Sequence, residues 1–154
     1  MRRYFVLTST ILIILLIGIE MMATNIIIVP IVNAIKIPTS QSGTILMYYM
    51  LFFLMIIVVA GKLGDMYGKL KILFIGLILF NVGCLFAGIA STYWVLIVGR
   101  AFQGMGAGLM LPNTNAITFE AFSQDKRGFL IGIMSGVSSV SKMLAPVIAG
   151  IIPN

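Results

Sequence analysis

Histidine is absent from this chain, cysteine occurs once, and aspartate and glutamate together number 4 in 154 residues. Each scarcity closes a class of function. With Cys84 alone in an apolar run, no disulfide framework forms within one chain and no zinc constellation is available. An intramembrane hydrolase would need a histidine, a G-x-S-x-G elbow or two carboxylates inside the bilayer. None of these is present, so the chain is not read as an enzyme. Charged residues make up only 9% of the chain, against about a quarter in an ordinary globular domain. Hydrophobic residues make up 60%. A soluble domain of this length could not hide that much apolar surface, so the solvent must be lipid. Backbone polar groups in lipid have to bond internally, which favours helices, and a span takes roughly 20 mainly apolar residues. The expected fold class is therefore an all-α integral membrane protein. The first apolar run, from Phe5, is too long for a signal peptide and lacks a convincing cleavage site.

Five spans are expected, at about 5–34, 42–61, 72–90, 93–118 and 128–152. The connectors between them are short. "KIPTSQS" carries a proline and a helix-start pattern, "STYW" is a tight turn with interfacial aromatics, and "FEAFSQDKRG" is polar. The net charge of +6 is a matter of topology and not of nucleic-acid binding. Arg2, Arg3, Lys62, Lys69, Lys71, Lys126 and Arg127 all fall on one side, and Lys36 alone falls on the other. By the positive-inside rule the N-terminus is cytoplasmic, as in a multi-pass protein of the inner (cytoplasmic) membrane.

Three ionisable residues lie inside the spans: Glu20, Arg100 and Lys142. Such residues are costly in lipid and tend to line a bundle interior or a water-filled cavity. Counting along the spans at about 1.5 Å per residue puts all three near the middle or outer half of the bilayer, where they are able to line one cavity. A carboxyl and a guanidinium there fit a group that loads and releases a proton. They fit a static ion pair locking helices together as well. Lys142 is either a functional charge or a lysine snorkelling to an interface. Gln103 adds a polar group near Arg100, and Gly104 and Gly108 share the arginine's helix face, a spacing that lets another helix approach closely. In the fifth span Gly132 and Gly136, and Pro146 and Gly150, are also four apart. Ser135, Ser138, Lys142, Ala145 and Ala149 trace a small, polar stripe suited to a moving interface or to ordinary small-residue packing.

The stretch "GKLGDMYGKLKIL", residues 61–73, links the second and third spans. Its glycines permit a tight turn. Asp65 sits at a helix C-terminal end, where its charge opposes the dipole, so it is expected to serve Lys69 or the N-terminus of another helix. The plainer reading is a positive-inside loop with turn glycines. The stretch resembles the cytoplasmic signature G-x-L-x-D-x-x-G-[RK] of the major facilitator superfamily, matched by Gly61, Leu63, Asp65, Gly68 and Lys69. "GRAFQGMGAG" resembles the family's fourth-span motif, with Arg100, Gly104 and Gly106. "GIMSGVSSVSKMLAPVIAG" resembles its fifth-span antiporter motif, with Gly132, Gly136, Pro146 and Gly150, and "IEMMATNIIIVPIV" loosely resembles the first-span motif of drug:proton antiporters. The sequence departs from these patterns at Met66, Leu70, Lys142, Ala145 and Glu20.

The resemblance points to the fourteen-span multidrug exporters. It implies proton-coupled efflux by alternating access, with no cofactor beyond a proton gradient and with a small-molecule substrate such as a lipophilic drug. It assigns Asp65 and Lys69, together with Glu120, to a cytoplasmic latch, Arg100 to proton coupling, and the fifth-span glycines and proline to a hinge. Transporters of this kind use six spans per half. On that basis the chain is expected to be an N-terminal portion whose sixth helix and second half lie elsewhere, or else to pair with another membrane chain. The alternatives are a non-transporting membrane interaction protein, a decayed half-domain, or an exporter of metabolites or sugars.

Overall fold

The computed structural model describes residues 2–34, 36 and 38–151. Five long helices carry the chain: α1 (Arg2–Ala34), α2 (Ser42–Tyr67), α3 (Lys69–Gly88), α4 (Tyr93–Ala121) and α5 (Arg127–Ile151). Short 3-10 turns at Thr39–Gln41 and Gln124–Lys126 precede α2 and α5. Among the described residues four helices are long and apolar enough to cross a membrane, those at Arg3–Ile26, Ser42–Tyr67, Lys69–Gly88 and Tyr93–Ala121. The end of the fifth expected span, Ile152, lies outside the described residues.

The sequence is rich in β-branched residues and glycine, which are poor helix formers in water. In hydrocarbon no water competes for the backbone, and these segments have no alternative to the helix. Even Pro30 and Pro112 are accommodated inside α1 and α4. Large apolar side chains point outward along every element, as at Val58, Leu54, Leu85, Phe74 and Ile78. That outward display is sensible only with lipid as the solvent.

Several helices outrun the spans expected for them. α2 continues six residues past Gly61 to Tyr67, and α3 begins at Lys69. The connector is therefore a single residue, Gly68, with φ 98° and ψ 124°. That backbone region is closed to L side chains and open to glycine. Gly68 N–H donates to Gly64 O at 3.0 Å and closes α2, while Gly68 O accepts from Ile72 N–H at 3.2 Å and opens α3. Gly61 and Gly64, expected to be turn glycines, are helical. Periodicity placed the ends at the last apolar residue, but the backbone runs on through the charged residues until a glycine lets it turn.

Two compact units are present. One comprises Met1–Ile27 with Thr114–Asn154, and the other Ile28–Asn113. In the first, Thr10 of α1 and Thr118 of α4 are buried with their hydroxyls 2.6 Å apart. Ser141 of α5 fills the space a side chain at Gly18 would need. In the second unit, Ile28, Val32, Ile45, Leu96 and Ile97 form one buried cluster, and Ala60, Ile72 and Leu109 form another.

Candidate functional site

Helix α4 is the buried element of the Ile28–Asn113 unit, and its glycines explain how. Gly104 and Gly108 lie against the backbone of α2: a Cβ on Gly104 would collide with Tyr49 O, and one on Gly108 would lie 2.9 Å from Phe53 O. A second stripe faces α3. A Cβ on Gly106 would lie 2.5 Å from Phe80 N and 2.6 Å from Gly76 O, and one on Gly99 would lie 2.8 Å from Ala87 N. Glycines of α3 answer them, since a Cβ on Gly83 would come within 2.6 Å of Gln103 N. Two backbones thus approach α4 closely on two sides, which is how small residues drive helix association where no hydrophobic effect operates.

Within that packing sit two polar side chains of α4, Arg100 at 5% exposure and Gln103 at 2%. Gln103 Nε2 donates to Cys84 Sγ at 3.2 Å, while its Oε1 is buried with no hydrogen-bond partner among the described residues. A guanidinium brings a fixed positive charge and five donors to a segment otherwise made of Leu, Ile, Gly and Met. Polar groups in such a place are tolerated for function far more often than for stability.

The signature stretch lies in the same unit. Lys69 Nζ and Asp65 Oδ1 pair at 3.2 Å across the Gly68 bend, so Lys69 is the partner Asp65 was expected to serve. Leu63 packs on the cluster of Ala60, Ile72 and Leu109. Gly61 and Gly68 meet no neighbour that a Cβ would disturb. Met66 and Leu70, where the signature departs from its pattern, are exposed.

The remaining candidates belong to the other unit. Glu20 is half-buried on α1, and Thr24 Oγ1 donates to its Oε1 at 3.1 Å. Lys142 is exposed on α5, and Glu120 is exposed near the end of α4. Gly132 and Gly136 also lie on an exposed face of α5, where an added Cβ meets nothing. That helix instead buries Leu130, Met134 and Ser141. The surroundings of Pro146 and Gly150 lie outside the described residues.

Sequence reading passed over Gly76, Gly83, Gly99 and Asn113. Gly76 and Gly83 are seven apart on α3, two turns on one face, and that spacing was the available signal. Asn113 is 1% exposed and bonds across to α2, its Nδ2 donating to Ala60 O at 3.2 Å. Its only signal was a polar run, "PNTN", inside a span.

Comparison with known proteins identifies the family. Residues 10–153 match the sequence profile of the Major Facilitator Superfamily. The chain is 42% identical over 94 residues to multidrug resistance protein 3 of Bacillus subtilis, a match covering 61% of this chain and 18% of that protein. It is 32% identical over 117 residues to the riboflavin transporter RibZ of Clostridioides difficile, covering 76% and 26%. It is 26% identical over 119 residues to the multidrug efflux pump SdrM of Staphylococcus aureus, covering 75% and 27%. The chain thus spans less than a third of the length of each of these relatives.

Proposed function

The chain belongs to the major facilitator superfamily, and from that premise we propose that it is part of a proton-coupled exporter of drugs or other small molecules, working by alternating access. The observation that carries this reading is Arg100, a cationic side chain at 5% exposure in the most enclosed helix. A permanent charge there costs several kcal/mol in hydrocarbon, and a helix that needed only to pack would not keep it. Gly99 and Gly104, either side of Arg100 in the sequence, pack α4 against the backbones of α3 and α2, so the helix that carries the charge is held closely. In this reading Arg100 and Glu20 each take part in proton coupling, and Gln103 and Lys142 are further polar groups of the transport machinery. Asp65 and Lys69 steady the cytoplasmic bend. The N-terminus is cytoplasmic, following the lysine and arginine bias.

A metabolite is the second substrate class, favoured by the riboflavin transporter among the relatives. Drug and metabolite readings share the coupling step and differ only in cargo.

The test is substrate-driven proton exchange in everted vesicles bearing the full-length protein. Arg100→Ala and Asp65→Asn are each expected to abolish export while the protein still inserts in normal amount. Normal exchange by both variants would remove the site assignment. Exchange driven by riboflavin but by no lipophilic cation would select the metabolite.

A further inference from the structure

We propose that Asn113 is a positioning residue for the cytoplasmic signature, fixing the last turns of α2 against α4 so that Asp65 and Lys69 are presented in one geometry; this rests on the transport role given to Asp65 above. Its amide can be accounted for atom by atom. A side-chain amide has two N–H donors and an oxygen with two lone pairs. One donor goes to Leu109 O at 2.8 Å, one turn back on its own helix, and the other to Ala60 O of α2 at 3.2 Å. Both donors are used. The oxygen is buried and has no hydrogen-bond partner among the described residues. A native structure seldom leaves such an acceptor without a reason, and an apolar side chain at this position would carry no such penalty.

The reason lies in what the oxygen faces. A Cβ built on Gly64 would overlap Asn113 Oδ1 and lie 3.0 Å from its Cγ and 3.3 Å from Cγ of Lys69. The group facing Oδ1 is therefore the Gly64 Cα–H, a weak donor. Three groups meet at one point: the Asn113 amide, the Gly64 backbone and the stem of Lys69. Gly64 is the residue before Asp65, and Lys69 is the partner of Asp65 at 3.2 Å. Gly64 O also accepts the Gly68 N–H that ends α2. A shift of Asn113 thus reaches both members of the ion pair and the bend between them. Asn113 is 1% exposed, so it is not placed to touch a substrate. One of its donors reaches α2, and it has no charge to contribute to coupling.

The experiment compares Asn113→Leu, Asn113→Asp and Asp65→Asn in the full-length protein by initial export rates in everted vesicles, with inserted amounts measured alongside. Asn113→Leu is expected to lower the maximal rate by about fivefold or more while KM stays within about twofold, the pattern of a lost transition-state contribution and not of lost binding. Asn113→Asp keeps the size and loses both donors, to Ala60 O and to Leu109 O, so it is expected to fall equally; it is read alone if the leucine variant does not insert. Combined with Gly64→Ala, Asn113→Leu lowers the rate no further than the stronger single change, because coupled residues do not multiply. A raised KM at unchanged maximal rate would make Asn113 a substrate contact and overturn the proposal. Losses that multiply with those of Gly64→Ala would overturn it too, as would normal export by both Asn113 variants beside an Asp65→Asn that no longer exports. Normal export by Asp65→Asn would instead defeat the transport reading of the signature itself.

Discussion

Asp65 and Arg100 occupy opposite environments, and substitution is expected to act on them differently. Asp65 is 69% exposed and its pair with Lys69 is only partly shielded. An ion pair of that kind contributes at most about 1 kcal/mol and often less. Asp65→Asn in the purified full-length protein is therefore expected to leave the melting temperature nearly unchanged while export is lost. A collapse of thermal stability would make the aspartate a folding residue. Arg100 is buried, and there the shape of the cation matters as well as its sign. A planar guanidinium offers five donors in a fixed fork, which an ammonium does not reproduce. Arg100→Lys is expected to retain the inserted amount and to restore little of the export lost in Arg100→Ala. Full activity of the lysine variant would show that charge alone suffices.

At the scale of elements, glycine has two meanings that one spacing rule does not separate. Gly106 meets the backbone of α3 at Phe80 N and Gly76 O, whereas Gly132 meets nothing. Backbone cannot move aside as a flexible side chain can. Gly106→Ala is therefore expected to destabilise the 154-residue chain in detergent by about 1–3 kcal/mol, the usual cost of overpacking. Gly132→Ala should lie within about 1 kcal/mol of the parent, on the stabilising side if helix propensity decides. Thermal unfolding followed by circular dichroism ranks the two. Gly132 stands four from Gly136, and Gly106 lies between Gly104 and Gly108, so the glycines were legible in the sequence and their contacts were not. The helices followed from apolar runs, Arg100 followed from a charge inside a span, and Asp65 and Lys69 followed from the signature stretch of the connector. Helix ends were not legible, because a backbone in lipid continues past its last apolar residue. Partners were not legible either. Gly83 and Gly99 are matched across two helices, and Asn113 is matched to a glycine 49 positions earlier in the numbering. No local pattern carries such a pairing.

At the scale of the whole molecule, orientation is the property most open to test. Ser91 and Thr92 are exposed in the uncharged turn between α3 and α4, while Lys62 and Gln124 are exposed beside basic residues. Single cysteines are placed at Thr92, Lys62 or Gln124 in a Cys84→Ser background, which keeps an acceptor for Gln103. An impermeant thiol reagent added to intact cells is expected to label the first and spare the other two. The opposite pattern would invert the topology. The one-residue joint at Gly68 carries a consequence for biosynthesis. With no slack between them, α2 and α3 enter the bilayer together as a helical hairpin. Lys62, Asp65, Lys69 and Lys71 lie within ten residues at its bend and, in the proposed orientation, never cross lipid. The end of α3 that must be carried through leads into Ile89–Thr92, which bears no charge at all. The same glycine that stops one helix thus decides which end of the pair travels and which stays behind.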